Sequence, residues 1–152
     1  MGAWIAPGGR KSNFAGYYLH IDPSGGSFLA GGVYRPASPV LKSIREGIDY
    51  DAGSLRSVLA NKKFAEHWGE LGGEKVKTSP KGYSKDHPDI DLIRHKDFIA
   101  QKSVDTDFLM QENFVEKAAY LYQAVYPLNG YLNQAISEAV ESWICLGLTL
   151  DL

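Results

Sequence analysis

Tyr17-Tyr18-Leu19-His20-Ile21-Asp22-Pro23-Ser24-Gly25-Gly26-Ser27-Phe28-Leu29-Ala30-Gly31-Gly32-Val33-Tyr34 is the stretch that decides the fold. Side chains of an extended chain alternate between two faces, so Tyr17, Leu19 and Ile21 share one face and Tyr18 and His20 the other. Asp22 to Gly26 supplies turn chemistry, because proline presets φ and glycine accepts positive φ. The reading is strand, turn, strand. Gly31 and Gly32 weaken the second strand and predict a bulge or the close approach of another backbone. Upstream, Met1 to Ala6 reads as a third strand. Glycine pairs at 8–9, 25–26 and 31–32 punctuate a segment rich in aromatic residues, which is the pattern of a small, mainly antiparallel sheet.

Past this segment the period changes. Ser38 reads as an N-cap and Pro39 as the first helical residue, and Val40, Leu41, Ile44 and Ile48 then recur at helical spacing, predicting a helix over 39–49. Leu55, Val58 and Leu59 continue the pattern over 51–60, and Phe64 and Trp68 extend it over 61–68. Residues 74–78 read as polar and extended, and 79–83 as a loop. Asp86 or His87 is expected to cap a helix that carries Asp89 and Asp91 in its positive first turn and ends near Arg94 or His95. A strand over 97–100 and a turn over 106–110 follow. Phe114, Ala118, Leu121, Tyr122 and Val125 mark an apolar stripe over 111–126, the strongest helical signal in the chain. Pro127 breaks or kinks it, and Leu128, Leu132, Ala135, Ile136, Ala139 and Val140 resume it. The apolar ending 143–152 is expected to dock on other surface or to leave an adhesive patch. Together these elements predict an α+β fold, with a small sheet from the N-terminal third packed on several helices.

Composition bounds the class of molecule. The 152 residues suffice for one domain, 1–152, and at this size roughly 68–70% of the unfolded surface is buried on folding. Hydrophobic residues at 44% and charged residues at 22% exclude a disordered, collagen-like or coiled-coil chain. No apolar run is long enough for a membrane span, and the opening Met1-Gly2-Ala3-Trp4-Ile5-Ala6-Pro7 has the character of neither a secretory signal nor a transit peptide. A single cysteine, Cys145, forms no internal disulfide and suits a reducing, cytoplasmic setting. The net charge of −2 hides an asymmetry: residues 1–102 carry fifteen Lys/Arg against eleven Asp/Glu, whereas 103–152 carry only Lys117 against seven acids. That basic excess is too dilute for nucleic acid, which calls for a dense stripe of cations.

Motifs for chemistry are sparse. The sequence has no dinucleotide fingerprint after a strand, no P-loop, no cysteine pair, no His-Glu-x-x-His and no nucleophile elbow. His20, His67, His87 and His95 lack the spacing that sets two ligands on one helix face, so neither a metal nor a cofactor is called for. Cys145 reads as a structural thiol. What remains is a scatter of cationic and aromatic residues on loops and element ends: Arg10, Lys11, His20, Tyr34, Arg35, Lys81, Tyr83, Asp86, His87, Arg94 and Lys96. One reading gathers Arg35, Lys81, Tyr83, His87 and Arg94 into a pocket for a small phosphate- or carboxylate-bearing ligand, with an arginine gripping two oxygens and His87 moving a proton. The plainer reading has Asp86 and His87 capping a helix, the lysines solvated and the arginines paired with nearby acids. Trp4, Tyr17, Tyr18 and Tyr34 likewise read as sheet packing before they read as a stacking platform. A binding or scaffolding module that recognises another protein is the competing class of function. An enzyme would need a base and an electrophilic stabiliser in reach of each other, and no spacing in the chain establishes either.

Several motifs in order are shared with a known family. Gly2-Ala3-Trp4 with Gly8-Gly9-Arg10-Lys11-Ser12, then Ala15 to Ile21, Gly31-Gly32-Val33-Tyr34-Arg35-Pro36, Pro80-Lys81-Gly82-Tyr83, Asp86-His87-Pro88 and Asp91-Leu92 resemble the domain of unknown function 2461 family over about residues 1–136. The resemblance implies a compact α+β protein and no established activity. It also implies a preceding helical part that ends in a basic stretch just before the Gly-Ala-Trp strand, whereas Met1 stands almost at that strand here. On that expectation a polar patch would be only partly present, and an uncovered sheet edge or core face would invite self-association.

Overall fold

The computed structural model describes residues 1–145, with side chains through residue 138. Four strands, β1 (Gly2–Ile5), β2 (Gly16–His20), β3 (Phe28–Val33) and β4 (Phe98–Ser103), form one antiparallel sheet in the order β1-β2-β3-β4. Trp4 lies opposite Tyr18, Tyr18 opposite Ala30, and Ala30 opposite Gln101, so the register carries one face continuously across all four strands. Between β3 and β4 the chain builds three helices, α1 (Ser38–Ala60), α2 (Lys62–Trp68) and α3 (Ile90–Ile93). After β4 it builds α4 (Thr106–Leu109), α5 (Phe114–Gln123) and α6 (Tyr126–Cys145).

The helices supply the core on one side of the sheet. Val40, Ile44, Ile48 and Leu55 of α1 and Val125, Leu128, Leu132 and Ile136 around α6 are buried with Leu29 and Val33 of β3 and Phe98 and Ala100 of β4. α5 and α6 also grip β2 and the residue before it through polar groups. Asn133 Oδ1 accepts from the Ala15 amide at 2.6 Å, Asn129 Nδ2 donates to the Gly16 carbonyl at 3.0 Å, and the Tyr122 hydroxyl donates to the Tyr18 carbonyl at 2.6 Å. The two glycines of β3 have separate causes. A Cβ on Gly31 would run into Val125, the residue just before α6, whereas Gly32 has φ +114° and a Cβ there would meet the Phe98 carbonyl oxygen. Pairing with β4 runs unbroken through both, so the close approach expected from the sequence is present.

Helix boundaries follow local chemistry. Ala37, not Ser38, is the N-cap of α1, with Pro39 in the first turn. The break expected near residue 50 is a kink within α1 at Asp51 (φ −147°, ψ 72°), whose carboxylate accepts from the Ser54 amide and hydroxyl. The Tyr131 hydroxyl reaches the Gly47 and Asp51 carbonyls at this kink. Asn61 caps α2 by accepting from the Lys63 and Phe64 amides. α6 begins at Tyr126 with Pro127 in its first turn, so the helical run is broken just ahead of the proline, after α5 ends at Gln123.

One expectation is corrected. The helix predicted from Asp86 or His87 begins only at Ile90, because residues 84–89 form successive turns in which His87 Nδ1 accepts from the Asp89 amide at 3.0 Å. Asp89 is the N-cap residue of α3 and Asp91 lies in its first turn, and the Arg56 guanidinium holds both, at 2.9 and 2.8 Å. Residues 74–78, read as polar and extended, contribute one antiparallel bridge, Lys75 to His95, just before β4. The docking expected of the tail 143–152 and the burial expected of the Cys145 thiol lie outside the side chains the structure describes.

Candidate functional site

The five residues singled out in the sequence occupy four settings. Arg94 Nε and Nη2 donate to the Val76 and Lys77 carbonyls at 2.9 and 2.8 Å, pinning the 74–78 segment to α3. Arg35 follows β3 in the left-handed region (φ 46°), its amide donating to Asp97 Oδ1 at 2.7 Å and its guanidinium lying 5.2 Å from the Tyr34 ring centre. Lys81 is exposed on the loop before Tyr83. Tyr83 and His87 do meet, edge to face with ring centres 6.0 Å apart. Their neighbours are largely acidic: His87 Nε2 lies 2.7 Å from Asp49 Oδ1, and burial, Asp49 and Glu46 raise the Tyr83 pKa against the opposing pull of Arg45. With Nδ1 accepting an amide proton, Nε2 carries the ring hydrogen and donates to Asp49.

Arg45 and Asp97 were not singled out in the sequence, yet they organise this region. Arg45 donates to the Ile93 and His95 carbonyls at 2.9 and 3.0 Å, and its burial lowers its pKa. The buried Asp97 carboxylate accepts from the Arg35 and Glu74 amides. Each joins segments far apart in the chain, and no local spacing announces such a partner.

The other face of the sheet holds a concave site. Period-two alternation sends Trp4, Tyr18, His20, Phe28, Ala30, Gly32, Ile99 and Gln101 away from the core helices, and with Tyr34, Arg10 and Ser12 they line a cavity of about 630 Å³. Cross-strand neighbours make its floor nearly continuous in aromatic rings. Trp4 and Tyr18 have ring centres 6.4 Å apart, Tyr18 and Phe28 5.7 Å, and His20 stacks on Phe28 at 5.0 Å. The Tyr18 hydroxyl and His20 Nδ1 are 3.1 Å apart, a hydrogen bond whose direction follows the imidazole tautomer. The β1–β2 loop reaches the site because Gly8 and Gly9 both take positive φ (81° and 80°), the Gly9 amide donates to the Ala6 carbonyl, and the Ser12 amide donates to the Gly9 carbonyl. Arg10 and Ser12 come to the cavity from that loop. A smaller cavity of about 320 Å³ lies between α1 and α6, where Glu46, Asp51 and Glu138 make it acidic.

Among the described residues no cluster of three or more His, Cys, Asp or Glu side chains is arranged to hold a metal ion, and no helix is long and apolar enough to cross a membrane. An antiparallel sheet backed by helices on one face and hollowed by aromatic side chains on the other defines an α+β protein with a sheet-face cavity. The chain belongs to the DUF2461 family, described as conserved hypothetical protein, which matches residues 1–131. No curated protein and no solved structure matches it.

Proposed function

We propose that this chain binds a small organic anion, with the flat apolar body of the ligand on the aromatic floor of the sheet-face cavity and its charge at Arg10. The observation that carries the reading is the cavity itself: about 630 Å³, within the range of small-molecule sites, apolar in the main and with few polar groups. Its lining cation is an arginine, which offers a fork of donors to carboxylate or phosphate oxygens. The loop set of Arg35, Lys81, Tyr83, His87 and Arg94 is the competing location. Against it stand the Arg94 donors already committed to carbonyls and the Glu46 and Asp49 carboxylates beside Tyr83. We place the activity in the cytoplasm, a setting that one thiol in 152 residues suits.

Thermal unfolding against aromatic carboxylates, alkyl carboxylates and phosphate esters tests the reading. A ligand at a hundred times its Kd adds about 2.7 kcal/mol, a shift of roughly 5–10 °C at about 2–4 °C per kcal/mol in a chain of this size. The shift should follow aromatic anions and disappear in Tyr18→Ala and Arg10→Ala. A shift that survives both and disappears in Arg35→Ala and Lys81→Ala moves the site to the loop set. No shift, together with a mass that doubles with concentration and reverts in Trp4→Ala, assigns the aromatic face to self-association instead.

A further inference from the structure

We infer that the ligand of the sheet-face cavity is a nucleoside monophosphate, an assignment that rests on the small-anion reading and narrows it. Trp4, Tyr18 and Phe28 come from three adjacent strands, and His20 stacks on Phe28 with 21° between the ring planes. Rings on neighbouring strands with centres 5.0–6.4 Å apart together span the width of a heterocyclic base, and every base has a π face to lay against them. The rest of the lining answers the rest of a nucleotide. Arg10, on a loop that two consecutive left-handed glycines turn toward the cavity, suits phosphate oxygens as a bidentate donor. Gln101 on β4 offers an amide with both donor and acceptor, and the Ser12 hydroxyl offers the same pairing on the loop, which suits base edges and ribose hydroxyls.

The charge count separates a mononucleotide from a strand of nucleic acid. A strand lays a phosphate at every nucleotide and is held by cations that follow its path. Among the described residues the cavity lining contains one permanently charged cation, Arg10. One phosphate is what a single guanidinium answers, and a hollow of about 630 Å³ lined by Tyr34, Arg10 and Ser12 beside the aromatic floor has room for one mononucleotide.

Calorimetric titration of the full chain with AMP, CMP, adenosine, ribose 5-phosphate, benzoate and an adenine hexanucleotide tests this. AMP or CMP should bind, with adenosine and ribose 5-phosphate each at least about tenfold weaker than AMP, since stacking and phosphate contact each contribute on that scale. Arg10→Ala should bring AMP to the affinity of adenosine and leave adenosine unchanged. Tyr18→Ala should weaken both, and a circular dichroism spectrum matching the parent protein keeps that loss from being one of folding. Ribose 5-phosphate binding as tightly as AMP would overturn the assignment, because the platform would then contribute nothing. Benzoate binding without AMP or CMP overturns the nucleotide and leaves the small-anion reading standing, whereas no binding by any of these probes removes both. A hexanucleotide that gains more than the roughly sixfold statistical advantage of six bases, with a steep salt dependence, overturns it in favour of single-stranded nucleic acid.

Discussion

The two faces of the sheet use the same strands for different ends. Toward the core helices, β3 and β4 present Leu29, Val33, Phe98 and Ala100, all buried against α1 and α6. Toward the opposite side the intervening residues of β1–β4 are Trp4, Tyr18, His20, Phe28 and Gln101, which line a hollow rather than a packed interface. The first face has every feature of a core: aliphatic side chains, full burial, and polar grips from Asn129, Asn133 and Tyr122 that pin β2. The second has rings, a cation and amide and hydroxyl groups, and its aromatic residues are only half buried. A surface built to hold a fold together has no use for Arg10 and Gln101 there. The difference teaches that stability and recognition are assigned to alternate residues of one strand, so substitutions one position apart should separate them.

The largest effect belongs to the buried face. Phe98→Ala removes a fully buried ring between the sheet and the helices and should cost about 3–5 kcal/mol in denaturant unfolding. Phe28→Ala removes the same ring from the open face and should cost less than half of that loss. Equal costs would mean that the open face is a second core, and the division between the faces would collapse. Gly31→Ala sharpens the contrast at a single strand position. Its new methyl points at Val125 beside α6, a contact with no room for it, so about 1–3 kcal/mol of overpacking is expected in the same measurement. An unchanged midpoint would show that α6 can retreat from the sheet.

Much of this arrangement was legible in the sequence, and the limits of that reading have physical reasons. Alternation in Tyr17 to Ile21 separates the core side from the open side correctly, and the glycine pair in β3 correctly announces a close approach. The N-terminal third supplies β1, β2 and β3 with their order, because hairpin neighbours pair locally. What period two cannot show is which strand β3 takes on its other side. Gln101 joins the cavity only through pairing with Ala30 across a long insertion. The same holds for the loop residues. Lys81, Tyr83, His87 and Arg94 are near one another in sequence, but Arg94 turns to the Val76 and Lys77 carbonyls and His87 turns to Asp49 on α1. A local cluster of charges does not reveal which partners fold back onto it. Asp97 and Arg45, whose bonds run to distant backbone groups, left no local trace at all.

The smallest expected effect is a dependence on pH that comes from the buried side. His95, 2% exposed, has its pKa lowered below the usual 6.5, chiefly because burial disfavours the charged ring and secondarily because Lys75 repels it, while the carbonyls of Asp97 and Gly72 and the Asp91 carboxylate pull the other way. In the unfolded chain the imidazole is free to protonate near its ordinary value. Between the two pKa values the unfolded state therefore binds more protons, and stability rises with pH. The contribution is complete above the unfolded value and is lost as pH falls from about 6.5 toward the folded one, with a slope limited to about 1.4 kcal/mol per pH unit for one proton. Asp91 acts in a lower window. Its hydrogen bonds to Arg56 hold its pKa below the ordinary 3.8, so its contribution is present above that value and declines only as pH falls through the lower folded value. Chemical unfolding at pH 7, 6 and 5 should thus show a decline in the parent protein that flattens in His95→Gln, even if the variant is less stable at pH 7. Parallel lines for the two proteins would mean that water reaches His95, and that the buried side of the sheet is more open than its packing implies.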